Sequence, residues 1–302
     1  MVFESIASVL RGFAMGAADI VPGVSGGTIA LVLGIYERLV ASIRAGSTAL
    51  GRILAGDVKG FRHWITRVEW GFLVPLGVGI LAAVVSLAHL LTTLLAEAPV
   101  AMASLFAGLV IGSMLIAWTM LREPAAREVW VAIAVGAVVF VALGVRTGTT
   151  EETVDQLTDP ALWAYFGSGA IAICAMILPG ISGSFILVLL GMYGAVLDAV
   201  TDFDIVALGT FILGAVVGLG VFSQVLDRAL THHHDVVLAA LVGLMAGSLR
   251  VLWPWPLGVQ STVLGTPDSD IALAVAMALV GFIAVVLIWW TAMRVEASAT
   301  PR

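Results

Sequence analysis

The chain has 302 residues, 61% of them hydrophobic and only 11% charged, with a mean hydropathy of +1.10 and a formal net charge of −6. Soluble domains carry roughly a quarter charged residues, so this composition excludes one and specifies a polytopic membrane protein. A single cysteine, Cys174, excludes an intramolecular disulfide and leaves no thiol pair for metal or redox work.

The first residues place Glu4 ahead of Arg11 and show no small-residue cleavage site, so no removable signal peptide is expected. Residues 5–43 are the first apolar stretch. As straight helix, about 40 residues would reach about 60 Å, twice the ~30 Å hydrocarbon core, so the stretch must fold back as a helical hairpin. Near its middle lies Pro22-Gly23-Val24-Ser25-Gly26-Gly27-Thr28. A polar segment, 44–69, separates this hairpin from three stretches long enough to span a bilayer: 70–95, 100–121 and 129–145. A second hairpin, 161–200, carries Pro179-Gly180-Ile181-Ser182-Gly183-Ser184-Phe185, and the spans 205–226, 236–253 and 271–293 follow it. Both hairpins read as re-entrant pairs of half-helices; two full spans in each would leave the topology unchanged.

The two motifs lie 157 positions apart and run on to Gly34-Ile35-Tyr36 and Gly191-Met192-Tyr193. Further along, Gly79, Gly108, Gly112 and Ser113 recur as Gly214, Gly243, Gly247 and Ser248, 135 positions later. The difference, 157 − 135 = 22 residues, corresponds to the polar segment 44–69, absent from the second copy. The chain thus divides into repeat 1 (1–146) and repeat 2 (147–302), each a hairpin plus three spans. An odd number of spans places the second copy upside down, so the expected fold is an all-α polytopic membrane protein built on an inverted repeat. Cations gather at Arg44, Arg52, Lys59, Arg62 and Arg67, then at Arg122, Arg127, Arg228, Arg294 and Arg302. The alternate loops hold Glu97, Glu151, Glu152, Asp155, Asp159, Asp198, Asp202, Asp204, Asp268 and Asp270, with Arg146 the exception. Because cytoplasmic loops hold the Lys and Arg, both termini are expected in the cytoplasm, hairpin 1 entering from that side and hairpin 2 from outside.

A Pro-Gly-x-Ser-Gly break in hydrocarbon would leave backbone groups unpaired at several kcal/mol each, so it survives only beside protein or a water-filled cavity. Ser25 and Ser182 stand where an N-cap belongs, and Gly26, Gly27, Thr28, Gly183 and Ser184 supply the first N–H groups of the resumed helices. Such a start, at the positive end of a helix dipole, is an anion site, and glycine lets a ligand approach the main chain. Two tips from an inverted pair meet near the midplane, which points to a central phosphate-binding site reachable from either face. The plainer alternative is that the breaks only permit close helix packing.

Asp19 stands where the second copy has Met176, and a carboxylate at this depth is a candidate for proton or sodium coupling or a cap for its own hairpin. Arg11 and Arg250, opposite Ser168 and Leu115, could receive an anionic head group at their respective leaflets or simply snorkel to the interface. His232-His233-His234 reads as a solvated turn, and His89 and Gln224 as partners in interhelical hydrogen bonds. Trp253, Trp255, Trp289, Trp290, Tyr36 and Tyr193 read as interfacial anchors, with Glu37-Arg38 marking the return to the cytoplasmic surface. Apart from the bilayer and an anionic lipid, no cofactor, metal or nucleic-acid partner is expected.

The run Arg11-Gly12, Met15-Gly16-Ala17-Ala18-Asp19-Ile20-Val21-Pro22-Gly23-Val24-Ser25-Gly26-Gly27-Thr28 and Gly34-Ile35-Tyr36-Glu37 resembles the signature of the polyprenyl-phosphate transporter family. The second tip and Gly247-Ser248-Leu249-Arg250 through Trp253-Pro254-Trp255 are similar to that family too. The resemblance implies a flippase of a prokaryotic plasma membrane that returns undecaprenyl phosphate from the outer to the inner leaflet. Undecaprenyl diphosphate phosphatases are a rival, having similar loops with an arginine directly after the serine. Here those positions are Gly26 and Gly183, and phosphoryl transfer without a nearby cation or acid/base group is disfavoured. A channel or exchanger for a small inorganic anion is the second rival.

Overall fold

The structure, a computed structural model, describes residues 2–21, 23–145, 157, 160–256, 258–260, 263–267 and 270–299. Pro22, Arg146, Glu151, Glu152, Asp155, Asp159, Asp268, Arg302 and the expected boundary between the repeats lie outside the described residues. The described elements are all helical: α1 Val2–Asp19, α2 Gly26–Val32, α3 Tyr36–Leu54, α4 Val58–Ile65, α5 Trp70–Glu97, α6 Pro99–Thr119, α7 Ala126–Val145, α8 Leu162–Ile177, α9 Gly183–Leu189, α10 Tyr193–Thr201, α11 Ile205–Ser248 and α12 Ile271–Ala299.

Five of these helices, α5, α6, α7, α11 and α12, are long and apolar enough to cross a membrane. Their outer faces present rows of aliphatic side chains, Val85 at 86% exposure among them, and a contiguous apolar surface of that kind has bilayer as its solvent. The chain is therefore a multi-pass membrane protein. In α6, 56% of the most apolar stretch is buried, against 11–22% in the other four, so α6 runs through the interior and the others line the perimeter.

The expected spans 205–226 and 236–253 are the two helical arms of α11, which meet at a break at His233 (φ −137°, ψ 45°); the second arm ends at Ser248 rather than at residue 253. The expected turn at His232-His233-His234 is that break, where the backbone leaves the helical conformation. The polar segment 44–69 is also helical, holding the end of α3 and all of α4. Hairpin 1 accordingly has no boundary at residue 43, because α3 continues through it to Leu54.

The second arms of the hairpins are short. At seven residues each, α2 and α9 reach about 10 Å, a third of the hydrocarbon core. A tight turn then redirects the chain at Gly34 (φ +68°) and at Gly191 (φ +69°), and α10 leaves α9 at an angle of 110°. All seven residues of α2 are buried, which puts the first tip at the centre of the protein.

Close helix contacts recur at the spacings seen in the sequence. Gly79 of α5 packs on the carbonyl of Val9 in α1, and Gly214 of α11 packs on that of Phe166 in α8, 135 and 157 positions further on. Gly12 against Leu76 and Gly169 against Phe211 form the reciprocal pair. Similarly Gly108 of α6 lies on Ala278 of α12, and Gly243 of α11 lies on Ala132 of α7. In each case a Cβ would occupy the space of the facing backbone, so only glycine lets these helices approach so closely. Because α7 packs on α11 and α12 on α6, helices from early and late in the chain are interlocked.

Candidate functional site

In hairpin 1 the backbone leaves α1 through two tight turns, Val21 N–H donating to the Ala18 carbonyl (3.1 Å) and Val24 N–H to that of Val21 (3.2 Å). Gly23 takes φ +82°, a conformation in which a Cβ would be strained. Ser25 is extended and caps α2, its Oγ accepting from Gly27 N–H at 3.0 Å. The Asp19 carboxylate accepts from Gly26 N–H at 2.6 Å, and Thr28 N–H donates to the Ser25 carbonyl at 2.9 Å. The first three N–H groups of α2 are therefore all satisfied from within hairpin 1, and Asp19 does cap its own hairpin.

Hairpin 2 repeats the path, with Gly180 at φ +86° and Ser182 extended before α9. Its chemistry differs, since Ser182 makes no capping bond to the helix and its hydroxyl instead pairs with that of Ser184 at 2.8 Å.

The two tips interlock. Ser25 Oγ donates to the Met176 carbonyl (3.0 Å), Gly180 N–H donates to Thr28 Oγ1 (3.0 Å), and a Cβ on Gly27 would lie 2.5 Å from the Ile177 carbonyl oxygen. Sequence reasoning missed the last turn of α8, Met176 and Ile177, because a carbonyl partner leaves no mark in residue type. One signal was present: Thr28 corresponds to Phe185 in the second copy, so only one tip carries that hydroxyl.

Beside this junction lies a cavity of about 310 Å³ whose lining includes Asp19, Met176, Ser182, Gly183 and Ser184. Its remaining walls are apolar and come from α8, α9, α10 and α11, Phe211 and Ala215 among them. Asp19 thus joins the second tip at one cavity, whereas Ser25, Gly26, Gly27 and Thr28 are buried behind it and do not line it. The two arginines are elsewhere. Arg11 is half-buried on α1, and Arg250, just past α11, stacks over the Phe140 ring of α7 at 4.8 Å and fills the space beside Gly144.

A second cavity, about 510 Å³, is lined by Glu37, Arg38, Glu69, Arg122, Asp227 and His234 among others. Arg38 donates to Glu69 (2.7 Å) and Glu4 (2.9 Å), and these carboxylates, Glu69 first, hold its guanidinium above its usual pKa. Arg44 pairs with Asp227, while His234 joins Glu37 and Asp235, each at 2.9 Å. Charged groups of α3 thereby attach it to α1, α5 and both arms of α11. His234 is engaged here rather than solvated, and no cluster suited to a metal ion occurs among the described residues.

Other expectations need correction. Tyr36 is buried (1% exposed), not an interfacial anchor, because it sits at the turn between α2 and α3. Trp255 is buried against Trp253, whose indole donates to the Gly265 carbonyl at 2.9 Å, so both fasten the segment after α11. His89 and Gln224 lie on exposed faces of α5 and α11, pointing away from the helices they were expected to join.

Glycine-locked helices, two broken hairpins meeting in the interior and a largely apolar cavity edged by Asp19, Ser182 and Ser184 at their junction define a membrane protein organised as transporters are, with its irregular backbone confined to a protein-lined centre. Residues 15–266 match the VCA0040-like family, described as undecaprenyl phosphate translocase-like, and the chain belongs to that family. It is 42% identical over 256 residues to a polyprenyl-phosphate transporter of Vibrio cholerae serotype O1, covering 83% of this chain and 78% of the relative. It is 31% identical over 257 residues to a polyprenyl-phosphate transporter of Staphylococcus aureus, covering 82% and 86%. Both relatives are thus named as transporters and not as enzymes. No solved structure matches the chain.

Proposed function

We propose that this protein is a flippase that carries undecaprenyl phosphate, or a related polyprenyl phosphate, from the outer to the inner leaflet of a prokaryotic plasma membrane. The observation that carries the reading is the cavity at the junction of the two tips, where Asp19 faces Ser182, Gly183 and Ser184. Hydroxyls and the N–H groups of a helix start suit the oxygens of a phosphate head group. The apolar walls reach the surface at Met176, 41% exposed, so a prenyl tail can stay in the bilayer while the head group enters.

The inverted repeat supplies the alternation. With a hairpin and three spans in each half, the halves run in opposite senses, both termini are cytoplasmic, and rocking one half against the other presents the central site to each leaflet in turn. Ser25, Gly26, Gly27 and Thr28 hold the junction and meet the head group in the alternate state, and Arg11 and Arg250 meet it at the two leaflets. An ionised Asp19 would repel the phosphate, so binding is coupled to protonation of Asp19, which makes the proton the coupling ion.

The test is a leaflet assay in proteoliposomes, reading protein-dependent movement of polyprenyl phosphate across the bilayer. Transport of the lipid without flux of inorganic anions and without release of inorganic phosphate is the expected result. Anion flux in vesicles free of polyprenyl lipid would instead show a channel, and phosphate release a phosphatase.

A further inference from the structure

The insertion 44–69 has no counterpart after the second hairpin and does not line the cavity at the hairpin tips. Within it, the helical spacing of α4 sets Val58, Phe61, Trp64 and Ile65 on one arc and Lys59, Arg62 and His63 on the other. Phe61, Trp64 and Ile65 are half-buried in a helix that packs on α3, while Val58, Lys59, Arg62 and His63 are exposed. Val58 is 56% exposed and Leu54, just before the turn at Gly56, is 80% exposed, so aliphatic side chains face outward on both sides of that turn.

The pose of α4 is fixed nonetheless. Asp57 caps it by accepting from Gly60 N–H (2.8 Å), and the Trp70 indole donates to the Ile65 carbonyl (3.3 Å). The Arg67 guanidinium lies 4.8 Å over the Trp64 ring. This helix therefore sits rigidly at the start of α5, where a membrane span leaves the bilayer.

Charge decides what covers it. Over residues 44–69 five Lys and Arg face two acids, Asp57 and Glu69, giving 5 − 2 = +3 in a chain whose net charge is −6. A short helix tethered to a span, with exposed cations and with Leu54 and Val58 facing outward at its start, fits a leaflet carrying negative head groups. We propose that α4 and the α3–α4 turn form a lipid-docking surface occupied by the anionic phospholipids of the adjacent leaflet. Leu54 and Val58 enter the acyl boundary, and Lys59 and Arg62 meet the phosphates above it, while Arg52 is held by Asp57 at 3.3 Å. This requires only that the chain spans a membrane and is independent of what it transports.

The experiment places a nitroxide on Val58→Cys in an otherwise cysteine-free Cys174→Ala chain and reads its accessibility to oxygen and to a water-soluble nickel chelate. The full chain is reconstituted in vesicles of phosphatidylcholine alone or mixed with phosphatidylglycerol. With phosphatidylglycerol the probe is expected to be shielded from the chelate and open to oxygen. Lys59→Glu with Arg62→Glu should shift it toward water by about five-fold for each basic side chain lost. A probe equally open to the chelate in both lipids overturns the proposal, as does one unmoved by the charge reversal. A soluble protein partner would give the first of those results. If the reversed variant does not fold, the comparison of the two lipids with native charges decides alone. Because probe depth does not report transport, failure here is separable from failure of the flippase reading.

Discussion

Adding one methyl group to Gly27 tests the interlock between the hairpins. A Cβ there would lie 2.5 Å from the Ile177 carbonyl oxygen, whereas real contacts start at 3.0 Å and are ordinary from 3.4 Å. The tips must part by 3.0 − 2.5 = 0.5 Å at the least, and by 3.4 − 2.5 = 0.9 Å for a relaxed fit. The Ser25–Met176 and Gly180–Thr28 bonds, both 3.0 Å, would then lengthen toward about 3.5–3.9 Å, where a hydrogen bond is lost. Two net bonds at about 1 kcal/mol each, plus about 1–3 kcal/mol for a buried N–H left unpaired, outweigh the gain of up to about 1 kcal/mol from alanine in a helix. Gly27→Ala should destabilise the protein by about 2–4 kcal/mol, read as a fall in melting temperature in detergent, and should impair the leaflet assay. Gly51→Ala is the control: nothing lies within 4 Å of its Cβ, so it should be neutral or stabilising by up to about 1 kcal/mol. Equal effects of the two substitutions, or normal stability and transport in Gly27→Ala, would show that the tips do not abut as described.

Three further outcomes follow from the same geometry. Thr28→Val keeps the shape but removes the acceptor of Gly180 N–H, so it should cost about 1–3 kcal/mol, and its double variant with Gly27→Ala should cost less than the sum in thermal melts, since both break that one bond. Asp19→Asn retains an oxygen for Gly26 N–H and should melt within about 1–2 kcal/mol of the parent, while transport loses its pH dependence; an unchanged pH profile would remove Asp19 from coupling. Gly214→Ala and Gly79→Ala each drive a methyl into a facing carbonyl, and both should destabilise by about 1–3 kcal/mol in the same melts; neutrality would contradict the packing of α8 on α11 and of α1 on α5.

The readable part of this protein was carried by residue type and spacing. Hydropathy located α5, α6, α7 and α12 because each must bury about 20 residues in one solvent. The glycines at offsets of 135 and 157 marked the places where helices touch, since close approach excludes every larger side chain. The Asp19 and Met176 pair marked a structural asymmetry between the hairpins, since a carboxylate among apolar residues needs a partner, and Gly26 supplies one. The sharpness of the break at His233 between the two arms of α11 was not readable, because a tight kink and a longer loop there have the same composition. Nor was the burial of Tyr36 and Trp255, which depends on what packs over them.

Sequence alone determined the membrane class, the two broken hairpins and the residues at their tips, because the bilayer penalises charge and unpaired backbone wherever they occur in the chain. Only the tertiary structure decided that the N–H groups of the first tip are used by Asp19 and Ser25, and that the second tip shares a cavity with Asp19. A hydrogen bond to a backbone group is chosen by proximity in space. That proximity joins Ser25 to Met176, 151 positions away, through contacts that no local pattern encodes.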